Sequence, residues 1–230
     1  MKLKIPFITT SKYIDVYVYV EHAAIDKCNF LEATSKIEKD LTKPTLSVAP
    51  TTSTCASFLA MQKRSFTLKS WQDWSIDRPN RGDFNANLTR PELCGFQGHS
   101  SEATNGWSGK HNIDVIKILP PFKIETKDSI DWVQTYSPFA HQNIRVPSGI
   151  INFKYSHETN FFIYNYKTDT ESIKFKAGDI LLNYIPLSDR RVKIHQHYDP
   201  DRYDYLHKSN APLTIKSGYI KKKLFMQGSK

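Results

Sequence analysis

Residues 12–21, Lys-Tyr-Ile-Asp-Val-Tyr-Val-Tyr-Val-Glu, constrain the fold more than any other stretch of the chain. Ile14, Val16, Val18 and Val20 fall on one side of an extended backbone, and Tyr13, Asp15, Tyr17, Tyr19 and Glu21 on the other. A period of two this regular predicts a strand, because successive side chains of an extended chain alternate between faces. The second face is aromatic rather than charged, which predicts another layer over it. From His111 onward, short apolar runs follow one another between turn residues: 114–119, 122–125, 130–136, 149–155, 160–166, 172–175 and 180–185. Pro120-Pro121, Lys127-Asp128, Ser137-Pro138, Ala177-Gly178-Asp179 and Pro186 punctuate them. Closely spaced short strands of this kind are the pattern of an antiparallel sandwich or barrel. Long amphipathic helices do not alternate with the strands, so a doubly wound sheet is not expected. The expected fold is all-β: a single antiparallel β-sandwich or jelly-roll domain over residues 1–230 with few short helices.

The N-terminal half is less regular. Residues 25–41 are the one plausible helix there, with a thin apolar stripe. Residues 42–56 read as an extended, Thr-rich connection, and 65–69 and 71–76 as strands. Residues 77–110 hold Gly82, Gly95, Gly98, Gly106 and Gly109 among Asn, Ser and Thr, and predict a long irregular loop. Residues 198–230 read as a C-terminal extension.

Composition narrows the classes of function. In 230 residues, 13 Phe, 12 Tyr and 4 Trp exclude a disordered chain. No run approaches the roughly 18 apolar residues of a membrane span. Residues 1–12 lack the apolar core and cleavage site of a signal peptide, which predicts a protein neither secreted nor in a membrane. Cys28, Cys55 and Cys94 are odd in number and widely spaced, so free buried thiols are expected rather than a thiolate zinc site or a disulfide framework. The net charge of +9 invites a nucleic-acid reading, but only Lys216 and Lys221-Lys222-Lys223 cluster.

Three segments carry a resemblance. Cys55-Ala56-Ser57-Phe58 is followed by Ser65-Phe66-Thr67-Leu68-Lys69-Ser70 and Asp73. Pro147-Ser148-Gly149-Ile150-Ile151-Asn152-Phe153 forms a turn and a strand. Phe175-Lys176-Ala177-Gly178-Asp179-Ile180-Leu181-Leu182 leads to Ile185-Pro186-Leu187 and Arg190-Arg191. Together they resemble a family of uncharacterised phage-encoded proteins of similar length, over about half of the chain. Members of that group carry Cys-Pro-Ala where this chain has Cys55-Ala56-Ser57. The resemblance implies a viral origin and a β-sandwich or cupin-like fold, and it implies no catalytic residues. Read physically, Gly178-Asp179 supplies a turn, residues 180–185 a buried strand, and Pro186 its end.

The sharpest constellation is His195-Gln196-His197-Tyr198-Asp199. In a strand, His195, His197 and Asp199 share a face at steps of about 6.6 Å. Two imidazoles and a carboxylate are the ligands of the iron sites that leave positions open on Fe(II) for dioxygen and a co-substrate. Arg190 or Arg191 would anchor a co-substrate carboxylate. Cupin-type sites, however, take a ligand from a second strand, and Pro200-Asp201 follows Asp199 at once. The alternative is an exposed polar loop capping the sandwich. His141, His157-Glu158 and His207 are further candidates that read first as surface residues. His99 and His111 flank the Gly-rich stretch, which would close over a ligand or serve as a contact arm. Trp71, Trp74, Trp107, Trp132, Tyr136 and Phe139 would build a stacking platform, but β interiors favour core positions for them. Lys216, Lys221, Lys222 and Lys223 would hold a polyanion by counterion release or form a solvated tail.

The expectation is a non-enzymatic structural or binding protein of a phage, a virion or accessory component without a cofactor, located in the virion or host cytoplasm. Its partners would be other phage proteins or further copies of itself. The rivals are a cupin-like, Fe(II)-dependent oxygenase and a non-specific nucleic-acid binder.

Overall fold

Residues 12–21 behave as their alternation predicts: β1 (Tyr13–Val20) buries Ile14, Val16, Val18 and Val20 completely. The computed structural model describes residues 11–33, 56–77, 85–99, 113–137, 140, 144–157, 159–166 and 172–210. Among them the chain is all-β, with short helices and four sheets. β1 is the centre of a three-stranded sheet, between β8 (Phe122–Thr126) and β15 (Arg191–Tyr198). A five-stranded sheet runs in the order β11 (Gly149–Ile151), β9 (Trp132–Tyr136), β14 (Ile180–Pro186), β3 (Phe66–Lys69) and β2 (Leu31–Ala33). A four-stranded sheet runs β10 (Ile144–Arg145), β12 (Phe161–Tyr166), β7 (Ile113–Leu119) and β6 (Gly95–His99). The last consists of β13 (Ile173–Phe175), β4 (Trp74–Asp77) and β5 (Asn85–Leu88).

Pairing is antiparallel in all of these except one. β1 and β15 run parallel, from Tyr13 opposite Arg191 to Val20 opposite Tyr198. Parallel neighbours need a long crossover, and here most of the chain lies between them in sequence.

One hydrophobic cluster takes residues from all four sheets. Phe66 packs against Tyr184 (4.9 Å between ring centres) and edge-on to Trp132 (5.4 Å). Phe122 stacks on Phe30 (4.6 Å) and meets Trp71 edge-on (5.8 Å), while Trp74 stacks on Phe175 at 4.0 Å. Such pairs each add about 0.5–1.5 kcal/mol beyond simple burial. Trp71, Trp74 and Trp132 are therefore core, as expected for β interiors.

The segments around Ser70–Asp73 and Lys176–Asp179 meet in one turn. Gly178 takes φ +95°, the left-handed region open to glycine. Its N–H donates to the Ser70 carbonyl (2.8 Å), and the Ser70 N–H donates to the Asp179 carbonyl (2.7 Å). The Asp73 carboxylate accepts from the Ala177 N–H (2.8 Å) and pairs with the Lys176 ammonium (3.1 Å).

Several local expectations are corrected. The helix expected over 25–41 is a single turn, α1 (Ala23–Asp26), and Leu31–Ala33 joins a sheet beside β3 instead. Tertiary pairing outweighs the thin helical stripe there; residues 34–41 lie outside the described residues. Of the 42–56 connection only Ala56 is described, and it opens helix α2 (Ala56–Gln62). The 77–110 stretch is not irregular throughout: β5 pairs with β4, and β6 with β7, around a 3-10 turn at Pro91–Leu93. The strand expected over 149–155 stops at Ile151, because residues 153–155 turn. Within the 198–230 extension, Pro200–Asn210 forms helix α3. No helix among the described residues is long and apolar enough to cross a membrane.

Candidate functional site

The parallel register of β1 and β15 sets Tyr17 opposite His195 and Tyr19 opposite His197. Directly opposed residues project from the same side of a sheet, so four rings collect on the face away from the core. His195 stacks on Tyr17 (5.1 Å, 17° between planes), and His197 stacks on both Tyr17 (6.4 Å) and Tyr19 (5.9 Å). A nitrogen of His195, Nε2, lies 2.8 Å from the Asp15 carboxylate, to which it donates. Inward-facing Gln196 instead donates to the Asp26 carbonyl at 2.6 Å, tying α1 beneath the strand.

Helix α3 is part of the layer that the aromatic face of β1 predicts. It lies against β1 and β8, with Leu206 fully buried. Arg202 makes a two-pronged bond to Glu125 (2.6 and 2.7 Å), and its guanidinium sits 5.8 Å from the Tyr19 ring centre and 5.0 Å from that of Tyr205. Partial burial, and after it the Glu125 carboxylate, pushes the Tyr19 hydroxyl above its ordinary range. The bond to Glu125 raises Arg202 further, so it remains a cation.

The residues considered for iron are thus placed as follows. His195 and His197 do share a face, as the strand reading requires. Asp199 has left that strand and acts as N-cap of α3, accepting from the Arg202 N–H at 2.8 Å. A facial metal set would require Asp199 to leave its cap and His195 to leave Asp15. Among the described residues no group of three His, Cys, Asp or Glu side chains is arranged to hold a metal ion. Arg190 is held by Asp128 at 2.7 Å, while Arg191 is exposed at the start of β15.

Other candidates separate in the same way. His157 is buried rather than at the surface, its Nδ1 3.2 Å from the Ile124 carbonyl. His207 is exposed and stacks on Tyr203. Tyr136 is half-buried and donates to the Ala140 carbonyl at 3.2 Å. Cys28 and Cys94 are free and partly buried. The side chain of His99, and residues Cys55, Trp107, His111, Phe139, His141, Glu158, Lys216, Lys221, Lys222 and Lys223, lie outside the described residues.

A second surface carries no sequence motif. β11 ends the five-stranded sheet among the described residues, and register sets Ile150 opposite Val133 and Val133 opposite Ile185. The three side chains form an apolar row in which Ile150 is 72% exposed, and Leu187, two residues beyond Ile185, is 61% exposed. Beside the edge runs a shallow groove of about 270 Å³ lined by Gln134, Asn152, Ser156 and Asn160.

Sequence reasoning missed Asp15, Tyr17 and Tyr19 as partners of the histidines, because parallel register between chain-distant strands leaves no local trace. It also missed α3, although Asp199-Pro200 is a cap followed by proline in the first helical position. Comparison with protein-family models, curated proteins and solved structures finds no match to this chain.

Proposed function

We propose that the protein is a non-enzymatic structural or binding component of a phage, a virion or accessory protein that works by protein–protein contact. The phage assignment rests on the resemblance of the segments around Cys55–Asp73, Pro147–Phe153 and Phe175–Arg191. The contact assignment rests on an apolar row that runs from Ile185 through Val133 to Ile150 on β11, the edge strand of this sheet among the described residues. An exposed edge offers unpaired backbone groups, and natural sheets commonly protect such an edge with charge, proline or a covering segment. Here an exposed isoleucine occupies it, and Leu187 extends the patch. The simplest occupant is the same edge of a second copy, because a two-fold contact needs only one self-complementary patch.

Light scattering coupled to size exclusion tests this reading. The wild-type protein is expected to associate, and Ile150→Glu to weaken association by about tenfold or more, as charging the centre of an interface does. A wild-type protein that stays monomeric at high concentration, and that is missing from purified phage particles, overturns the proposal.

A further inference from the structure

The outer face of the β15–β1–β8 sheet carries a different chemistry from the Ile150 edge. His195, Tyr17, His197 and Tyr19 form one file of rings, bounded at the Tyr19 end by Arg202. At the Tyr17 end stand cations. The Lys127 ammonium is 5.4 Å from the Tyr17 ring centre, Lys193 is opposite Asp15, and Arg191 is opposite Tyr13. All three cationic residues are exposed. Among the described residues the acids of the ladder are already matched, Asp15 by His195 and Glu125 by Arg202, which leaves Lys127, Lys193 and Arg191 as positive charge beside the rings. Lys193 lies on β15 and Lys127 directly after the last residue of β8, so the two stand on opposite sides of β1, about 10 Å apart at ordinary strand spacing.

We propose that this face binds single-stranded nucleic acid, with unpaired bases against Tyr17 and His197 and the phosphate backbone against Lys127, Lys193 and Arg191. The pairing of features selects the ligand. Rings recognise any base with a free π face, which a duplex hides, and cations beside them neutralise the backbone. The net charge of +9 brings such a polyanion toward the whole molecule, and the ladder gives it a place to stop.

The test is a fluorescence anisotropy titration of labelled oligothymidylate at low and moderate salt. The expected affinity falls steeply with salt, as counterion release requires. Tyr17→Ala and Lys127→Ala are each expected to weaken binding by about fivefold or more, the loss of a stacked base or a phosphate contact. Tyr17→Phe keeps the ring and retains affinity, which separates stacking from misfolding. Ile150→Glu also retains it, so the fate of this proposal is independent of the assembly surface. Three results overturn it: no binding at low salt, duplex competing as well as single strand, or affinity lost on Lys221→Ala/Lys222→Ala/Lys223→Ala but unchanged by Tyr17→Ala.

Discussion

Asp73 shows how much one surface side chain can join. Its carboxylate holds the Ala177 N–H and the Lys176 ammonium, and so ties the start of β4 to the Gly178 turn leading into β14. The Ala177 N–H, and after it Lys176, hold the Asp73 carboxyl below its usual range. A folded-state value below the unfolded one means that this stabilisation is present above the unfolded value, near 3.9, and is lost as pH falls through the folded value. Asp73→Asn should therefore remove part of the acid sensitivity of the urea midpoint while leaving its slope above pH 6 unchanged. An unaltered acid limb would mean that the turn does not depend on the carboxylate. At Cys94, burial pushes the thiol far above its ordinary range, which makes it an inert packing residue rather than a nucleophile.

At the scale of elements, α3 depends on how its first turn is closed. Asp199 accepts from the Arg202 N–H, and Pro200 occupies the position where a missing N–H costs nothing. Arg202 then carries the helix onto Glu125 and Tyr19. Asp199→Ala is expected to cost about 1 kcal/mol, read from urea unfolding, because the capped N–H loses its partner. A change near zero would show that the Arg202–Glu125 bond and buried Leu206 hold the helix without its cap. The edge strand β11 lies at the opposite extreme: it has one paired neighbour among the described residues and an exposed Ile150.

For the whole molecule, the continuous cluster linking the four sheets predicts one cooperative unfolding transition. Phe122 is fully buried between Phe30 and Trp71, so Phe122→Ala should cost about 3–5 kcal/mol in denaturant unfolding. Two separated transitions, with Phe122→Ala moving only one, would divide the chain into two folding units. Much of this architecture was legible beforehand. β1, β7, β8, β12 and β14 follow from apolar alternation or short apolar runs bounded by turns, and the Gly178 turn follows from glycine's freedom at positive φ. Leu31–Ala33 misled, because its strand state depends on Phe66–Leu68 across the sheet. The candidate site was legible only in part: His195 and His197 share a face because strands alternate, but their neighbours come from β1. The sequence by itself determined which residues of β1 turn inward, since the two faces of a strand alternate with local periodicity. Only the tertiary structure decided that β1 runs parallel to β15, that Asp15 and the tyrosines meet the histidines, and that Ile150 stands at an edge. Strand partners and register are selected by which apolar faces cover one another across the whole chain, and no local stretch contains that information.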